Sequence, residues 1–257
     1  MDLGDRVRDA LPVNQPYNAL VAQAYDCWLP PDADYGDHDT YRHAIEQGGG
    51  PALELGCGNG RLLLKYRRAG LDVDGVDSAA DMLAICRARA GAAGITVGLH
   101  CTDWVSFDLP RRYATIYNPA GSFMLIDDDA RAHDAISTWM RHLAPGGRLW
   151  IAMGVPRADF GAQWEWRVRR SATRPSDGLT FMVHEALTCD VDAQVQHVLN
   201  RHEIWDANGE LVTTFIRRHR LRWWTAGELE AMMRSCGATR VRVLGTDDEF
   251  IAVGHAT

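Results

Sequence analysis

The sequence predicts an α/β fold: a doubly wound, seven-stranded, mostly parallel sheet with an antiparallel β insertion after its fifth strand. Three observations predict it. Short apolar runs alternate with helical patterns from residue 51 to about 154, the rhythm of βα units. The rhythm then changes to four β-like segments without intervening helices. Finally, a capped helix and two further strand patterns close the chain.

The elements follow in order. YNALVAQAYDCW (17–28) spaces Tyr17, Val21 and Tyr25 at i,i+4 and reads as an amphipathic helix. PPDADYGDHD (30–39) is turn-rich and acidic. A helix at about 40–47 ends at Gly48-Gly49-Gly50. PALEL (51–55) is the first strand and GRLLLKYRRAG (60–70) the helix after it. LDVDGVD (71–77) is the second strand. SAADMLAICRARAG (78–91) is a helix with Ser78 as its N-cap and a glycine stop. ITVGLHC (95–101) and RYATIYN (112–118) are the third and fourth strands. DDDARAHDAISTWMRHLAPGG (127–147) is a helix with three acids at its positive end, stopped by Pro145-Gly146-Gly147. RLWIAMG (148–154) is the fifth strand. The insertion, about 160–223, holds three or four antiparallel strands, with Asn208-Gly209 as a hairpin turn. TAGELEAMMRSCG (225–237) is a helix, and TRVRVLG and EFIAVGH close the sheet. The expected division is a helical lid over 1–50, an α/β domain over 51–157 and 224–257, and an inserted antiparallel β layer over 158–223.

Composition narrows the class. The chain has 257 residues, 46% of them hydrophobic, and a formal net charge of −7. That balance argues against a nucleic-acid partner, because phosphate neutralisation dominates such binding. No run of about 18 apolar residues argues for a membrane span, and the charged start MDLGDRVRDA lacks a signal-peptide core. The expectation is a cytoplasmic protein. Six scattered cysteines, without CxxC or zinc spacing, are expected to be reduced and mostly buried, with no metal site. Lys65 is the single lysine among 27 basic residues, a bias that suggests a GC-rich bacterial genome.

ALELGCGNG (52–60) carries the functional argument. Gly56 permits a sharp turn, Gly58 lets backbone approach a ligand, and Gly60 opens the next helix toward it. A dinucleotide fingerprint needs its third glycine at position 61, which is Arg61. Asp77 ends the second strand, where an acid accepts from ribose hydroxyls, and Asp103-Trp104 follow the third. Alone, Asp77-Ser78 starts a helix and Asp103 caps a turn. Together, at successive strand ends, they mark the carboxyl edge where α/β sheets bind ligands.

This G-x-G-x-G pattern, with Asp77 and Asp103-Trp104, resembles the class I S-adenosylmethionine-dependent methyltransferases, whose fold is Rossmann-like. The resemblance covers residues 17–154 and the closing strands. It implies S-adenosylmethionine as cofactor, with the glycine loop and Ser78 at the methionine and ribose parts and Asp103-Trp104 at adenine. Glu54 either orients the loop or reaches the methionine amino group. Met82 either lies against adenine or joins the core. The fourth strand ends Tyr117-Asn118-Pro119-Ala120-Gly121-Ser122-Phe123. Asn118 counts with the cofactor residues, but the Asn-Pro-Pro-Tyr motif of nucleic-acid and protein amine methyltransferases lacks its aromatic here. Gly121-Ser122-Phe123 and lid tyrosines are similar to small-molecule N-methyltransferases of the glycine, amino-sugar and lincosamide-antibiotic types. That resemblance implies an amine acceptor in bacterial secondary metabolism, with O-methylation of a hydroxyl or carboxylate as the alternative. Tyr17, Tyr25 and Phe123 are the candidate catalytic residues around the substrate nitrogen. The inserted sheet is a candidate homo-oligomer contact. His184, His197 or His202 is expected to offer a histidine to the substrate, and the insertion's arginines suit an acidic acceptor.

Overall fold

A computed structural model describes residues 11–30, 33–156 and 165–257. Seven strands build the main sheet: β1 (Ala52–Leu55), β2 (Val73–Asp77), β3 (Leu99–Cys101), β4 (Tyr113–Asn118), β5 (Leu143–Gly154), β10 (Thr239–Gly245) and β11 (Glu249–His255). Their order is β10-β11-β5-β4-β1-β2-β3. The first five run parallel, while β11 is antiparallel to both β5 and β10. This is the expected seven-stranded α/β sheet. Central β1 is buried along its whole length, as a parallel strand covered on both faces must be.

The period of two in each strand divides the core. Leu53, Leu55, Ile116, Leu149 and Ile151 point to one face, under α5 (Asp129–Arg141) and α6 (Ala226–Ser235). Ala52, Val73, Tyr117 and Trp150 point to the other. There they meet α2 (His38–Gly48), α3 (Leu63–Arg68) and α4 (Ala80–Ala92). A capping box, with Thr225 and Glu228 exchanging bonds, starts α6.

Several boundaries differ from the sequence expectation. Ser78 does not cap α4: the Asp77 carboxylate accepts from the Ala79 N–H at 2.8 Å, and Ala79 is the cap residue. The helix also runs through Gly91 and ends at Ala92, with Ala93 as its C-cap. The third strand is only Leu99–Cys101. The helix after β4 ends at Arg141, and Pro145-Gly146-Gly147 lie inside β5. Tyr113 pairs with Leu143 and Thr115 with Arg148, so β5 bulges out by three residues there. Of the six cysteines, all free, Cys57 and Cys86 are buried and Cys101 is exposed.

The insertion is a four-stranded antiparallel sheet in sequence order: β6 (Arg167–Thr173), β7 (Thr180–Asp190), β8 (Val195–Trp205) and β9 (Leu211–Arg222). Gly209, at φ 82°, turns β8 into β9 as the Asn208-Gly209 pair predicts. Helix α1 (Ala19–Trp28), capped by the Asn18 side chain, bridges the two sheets. Ala22 packs on Ala79 and Met82, and Ala24 on Phe181 and Ile204. Among the described residues no helix is long and apolar enough to cross a membrane.

Candidate active site

Parallel pairing brings the ends of β1, β2, β3 and β4 to one edge, and a cavity of about 630 Å³ opens there. The glycine loop forms its floor. Gly56 turns with φ 72°, and a Cβ on it would stand 3.0 Å from Trp104 Cζ3, so any side chain would displace that ring. Gly58 donates its N–H to Asp77 Oδ2 at 2.8 Å. Gly60 serves packing instead. A Cβ there would meet Cys86 Sγ at 2.6 Å and Leu64 Cγ at 2.8 Å. It lets α3 close against α4 and is not on the cavity wall.

The acids sit at three depths. Glu54 is buried and accepts from the Tyr117 hydroxyl at 2.8 Å. Burial pushes its carboxyl up to about 8, against the pull of that hydrogen bond and of the Arg61 guanidinium. Asp77 is also raised by burial, opposed by the N–H groups of Ala79 and Gly58. Each Asp77 oxygen spends one lone pair on these donors and keeps another for a ligand hydroxyl. Asp103 is half exposed: Oδ1 accepts from the Val105 N–H at 2.9 Å and Oδ2 lies 3.4 Å from Arg131. Trp104 is fixed beside it by its carbonyl, which accepts from Trp139 Nε1 at 2.7 Å. Ser78 and Met82 complete this side of the wall.

Tyr17 and Tyr25 line the same cavity beside Ala79 and Met82, ring centroids 5.6 Å apart and tilted by 56°. Burial raises both hydroxyls, so both are neutral phenols at neutral pH. The structure places Phe123 elsewhere. Gly121 (φ 68°) leads into the short 3-10 turn Ser122–Leu125, which folds the ring inward. It is fully buried, with centroids 5.5 Å from Trp139 and 5.0 Å from Trp224. Phe123 therefore supports the wall without reaching a substrate. Asn118 is likewise buried behind the wall, its Nδ2 donating to the Leu55 carbonyl at 3.2 Å.

Three contributors are absent from the sequence reading. Arg61 forms a two-armed pair with Asp37, at 2.7 and 2.6 Å, and faces the cavity beside Glu54. Residues 13–17 run along β9 as a strap. Val13 bridges Arg218, and Asn14 bonds the Leu125 carbonyl and both the N–H and carbonyl of Arg220. His219 supplies the wall histidine. His202 does not: it is stacked between Phe215 and Trp28 inside the insertion. His184 lies 3.4 Å from Glu203 on the other face.

Residues 52–147 match the family profile described as "Methyltransferase domain". A demethylmenaquinone methyltransferase of Thermus thermophilus is 35% identical over 121 residues, covering 46% of this chain and 53% of that protein. The chain thus matches about half the length of its curated relatives. Among solved structures, a methyltransferase from Streptomyces caelestis superposes with TM-score 0.73 at 19% identity, covering 96% of this chain and 100% of that one. An S-adenosylmethionine-bound amino pentose methyltransferase of calicheamicin biosynthesis, from Micromonospora echinaspora, gives TM-score 0.69 at 21% identity, covering 95% and 99%. The glycine loop and the strand-end acids Asp77 and Asp103 all fall within residues 52–147, the segment that matches the methyltransferase-domain family, and the solved structures share the fold around it.

Proposed function

We propose that the protein transfers a methyl group from S-adenosylmethionine to an amine nitrogen of a small molecule in bacterial secondary metabolism. The observation that carries this is one cavity walled by the glycine loop, Asp77, Asp103 and Trp104 on one side and by Tyr17, Tyr25 and His219 on the other. Its size lies within the roughly 300–1,000 Å³ of small-ligand sites. The bare backbone at Gly56 and Gly58 and the spare lone pairs of Asp77 fit the cofactor. The amino pentose methyltransferase among the similar structures supports the amine.

S-adenosylmethionine supplies a methyl carbon already made electrophilic by its sulfonium. The chain aligns the partners and excludes water. Asp77 takes the ribose hydroxyls, Asp103 and Trp104 flank the adenine, and Glu54 faces the cationic amino end. Tyr17 and Tyr25 offer ring faces and neutral hydroxyls to a cation. Burial keeps both phenols protonated, so no phenolate is present to act as a base, and the ammonium proton leaves to water before attack.

The second reading, methylation of a hydroxyl or carboxylate oxygen, is favoured by His219. Burial, with Arg217 beside it, lowers this imidazole to about 4. It is unprotonated on the cavity wall and able to accept a hydrogen bond from an acceptor hydroxyl, although the lowered pKa makes it a weak base. Methylation with ¹³C-labelled cofactor, against amine, hydroxyl and carboxylate panels, separates the two. The product methyl carbon shift is expected to report N–CH₃; O–CH₃ alone would overturn the amine reading. We also propose a homo-oligomer through the outer face of the insertion, where Val168, Val212 and Ile216 are exposed. Sedimentation of the wild type against Ile216→Glu tests it: an oligomer that this charge dissociates supports it, and a wild-type monomer refutes it.

A further inference from the structure

The inner face of the inserted sheet carries an uncompensated polar cluster. In the β8–β9 ladder Asn200 stands opposite Arg217, and Val198 opposite His219. The period of two puts Arg217, His219 and Leu221 on one face, and the last two line the cavity. Arg217 is 9% exposed and His219 7%. Both carry a buried nitrogen with no hydrogen-bond partner, Arg217 Nη1 and His219 Nδ1, and Asn200 Oδ1 is a third such atom.

The rest of Arg217 is occupied. Its Nη2 donates to the carbonyls of Gln15 and Pro16 in the strap. Its guanidinium lies 4.7 Å from the centre of the Tyr17 ring, itself on the cavity wall. No carboxylate among the described residues pairs with it, and burial lowers its pKa accordingly. By contrast, the buried Arg61 has Asp37. A guanidinium removed from water with an idle amino group and no counter-charge is costly, and a ligand that brings the charge removes that cost.

We propose that the methyl acceptor carries an oxyanion, a carboxylate or a phosphate, which seats on Arg217 Nη1 and the His219 ring at the edge of the inserted sheet. This rests on the methyl-transfer reading of the cavity. Arg217 and His219 donate to the two oxygens, and the Val13–Tyr17 strap, held to Arg217 by the Gln15 and Pro16 carbonyls, closes behind them. The acceptor's nucleophile is thereby turned toward the glycine loop. Arg217 is then a specificity-determining residue for a compound bearing both a nucleophile and an anionic group.

The test uses the full chain loaded with S-adenosylhomocysteine, with acetate and inorganic phosphate as separate probes and chloride at equal ionic strength as control. The readout is the NMR signal of the His219 ring. A saturable shift with acetate assigns a carboxylate, and one with phosphate a phosphate. Arg217→Met is expected to weaken the response by about tenfold or more, and Arg217→Lys to keep most of it. Wild type alone decides if Arg217→Met does not fold: no saturable shift with either anion overturns the proposal. An equal response in folded Arg217→Met overturns it as well. S-adenosylhomocysteine binding, followed in the same samples, separates the two readings. Its absence in wild type tells against methyl transfer itself. Its presence without an anion response tells against the acceptor oxyanion alone.

Discussion

Replacing Glu54 with glutamine removes a carboxyl that folding leaves only 3% exposed under the Tyr117 hydroxyl. In the unfolded chain this group titrates near 4.5, and burial in the fold pushes it up to about 8. Between those values the unfolded chain has released the proton and the folded chain has kept it. The contribution to stability is therefore whole below the unfolded pKa and is lost as pH rises toward the folded one, at about 1.4 kcal/mol per pH unit. From about pH 6.5 to about pH 8, where the folded group begins to ionise too, the loss amounts to about 1.5 kcal/mol. The amide of Glu54→Gln would keep an oxygen for Tyr117 and carry no charge, so the variant lacks this slope. Urea unfolding of the ligand-free proteins at the two pH values measures the difference. Parallel stability changes in wild type and Glu54→Gln would refute the reasoning. The same carboxyl links cofactor binding to protons. A cationic amino group beside it favours the ionised form, so binding at about pH 7 should expel about 0.9 proton from wild type and none from the variant. Calorimetry in two buffers of different ionisation enthalpy reads that number.

Three further outcomes follow from the geometry. Gly56→Ala forces a side chain onto φ 72° and against Trp104; it should cost about 1–3 kcal/mol of stability and weaken S-adenosylhomocysteine binding at least about tenfold, as read by unfolding and calorimetry. Phe123→Ala opens a hole between Trp139 and Trp224 and should cost about 3–5 kcal/mol, while the folded fraction still binds S-adenosylhomocysteine; selective loss of binding at unchanged stability would contradict the core placement. Tyr17→Phe and Tyr25→Phe should each leave the pH–rate profile without a lost limb, because both phenols are neutral at working pH; a limb abolished by either substitution would show a tyrosine base.

The legible part of the site is the part the parallel sheet dictates. The glycine loop, Asp77 and Asp103-Trp104 each follow a strand, and parallel strands set such ends side by side, so local reading sufficed to gather them. Gly60, Asn118 and Phe123 also follow strands or the loop, yet they point away from the cavity. Their direction is decided by contacts with Cys86, Leu55 and Trp224, which are remote in sequence or hidden from local periodicity. The same holds for Ser78, displaced as a cap by the nearer Asp77 carboxylate. The insertion's arginines read as suited to an acidic acceptor with no choice made among Arg217, Arg218, Arg220 and Arg222, and His219 between them escaped notice. Alternation in FIRRHRLR does place Phe215, Arg217, His219 and Leu221 on one face, a signal that a strand has turned polar residues inward. The Val13–Tyr17 strap had no local signal at all, since its pairing with β9 spans some two hundred residues.

The central claim is that the cavity at the strand ends binds S-adenosylmethionine through Asp77. Calorimetric titration of S-adenosylmethionine and S-adenosylhomocysteine into wild type and Asp77→Ala tests it most directly. Wild type is expected to bind at micromolar concentration, about −8 kcal/mol, and binding is expected to weaken by at least about tenfold in a variant that has lost both the ribose acceptor and the anchor of the Gly58 N–H. Wild type that binds neither compound, or an Asp77→Ala variant that binds as tightly as wild type, would contradict it.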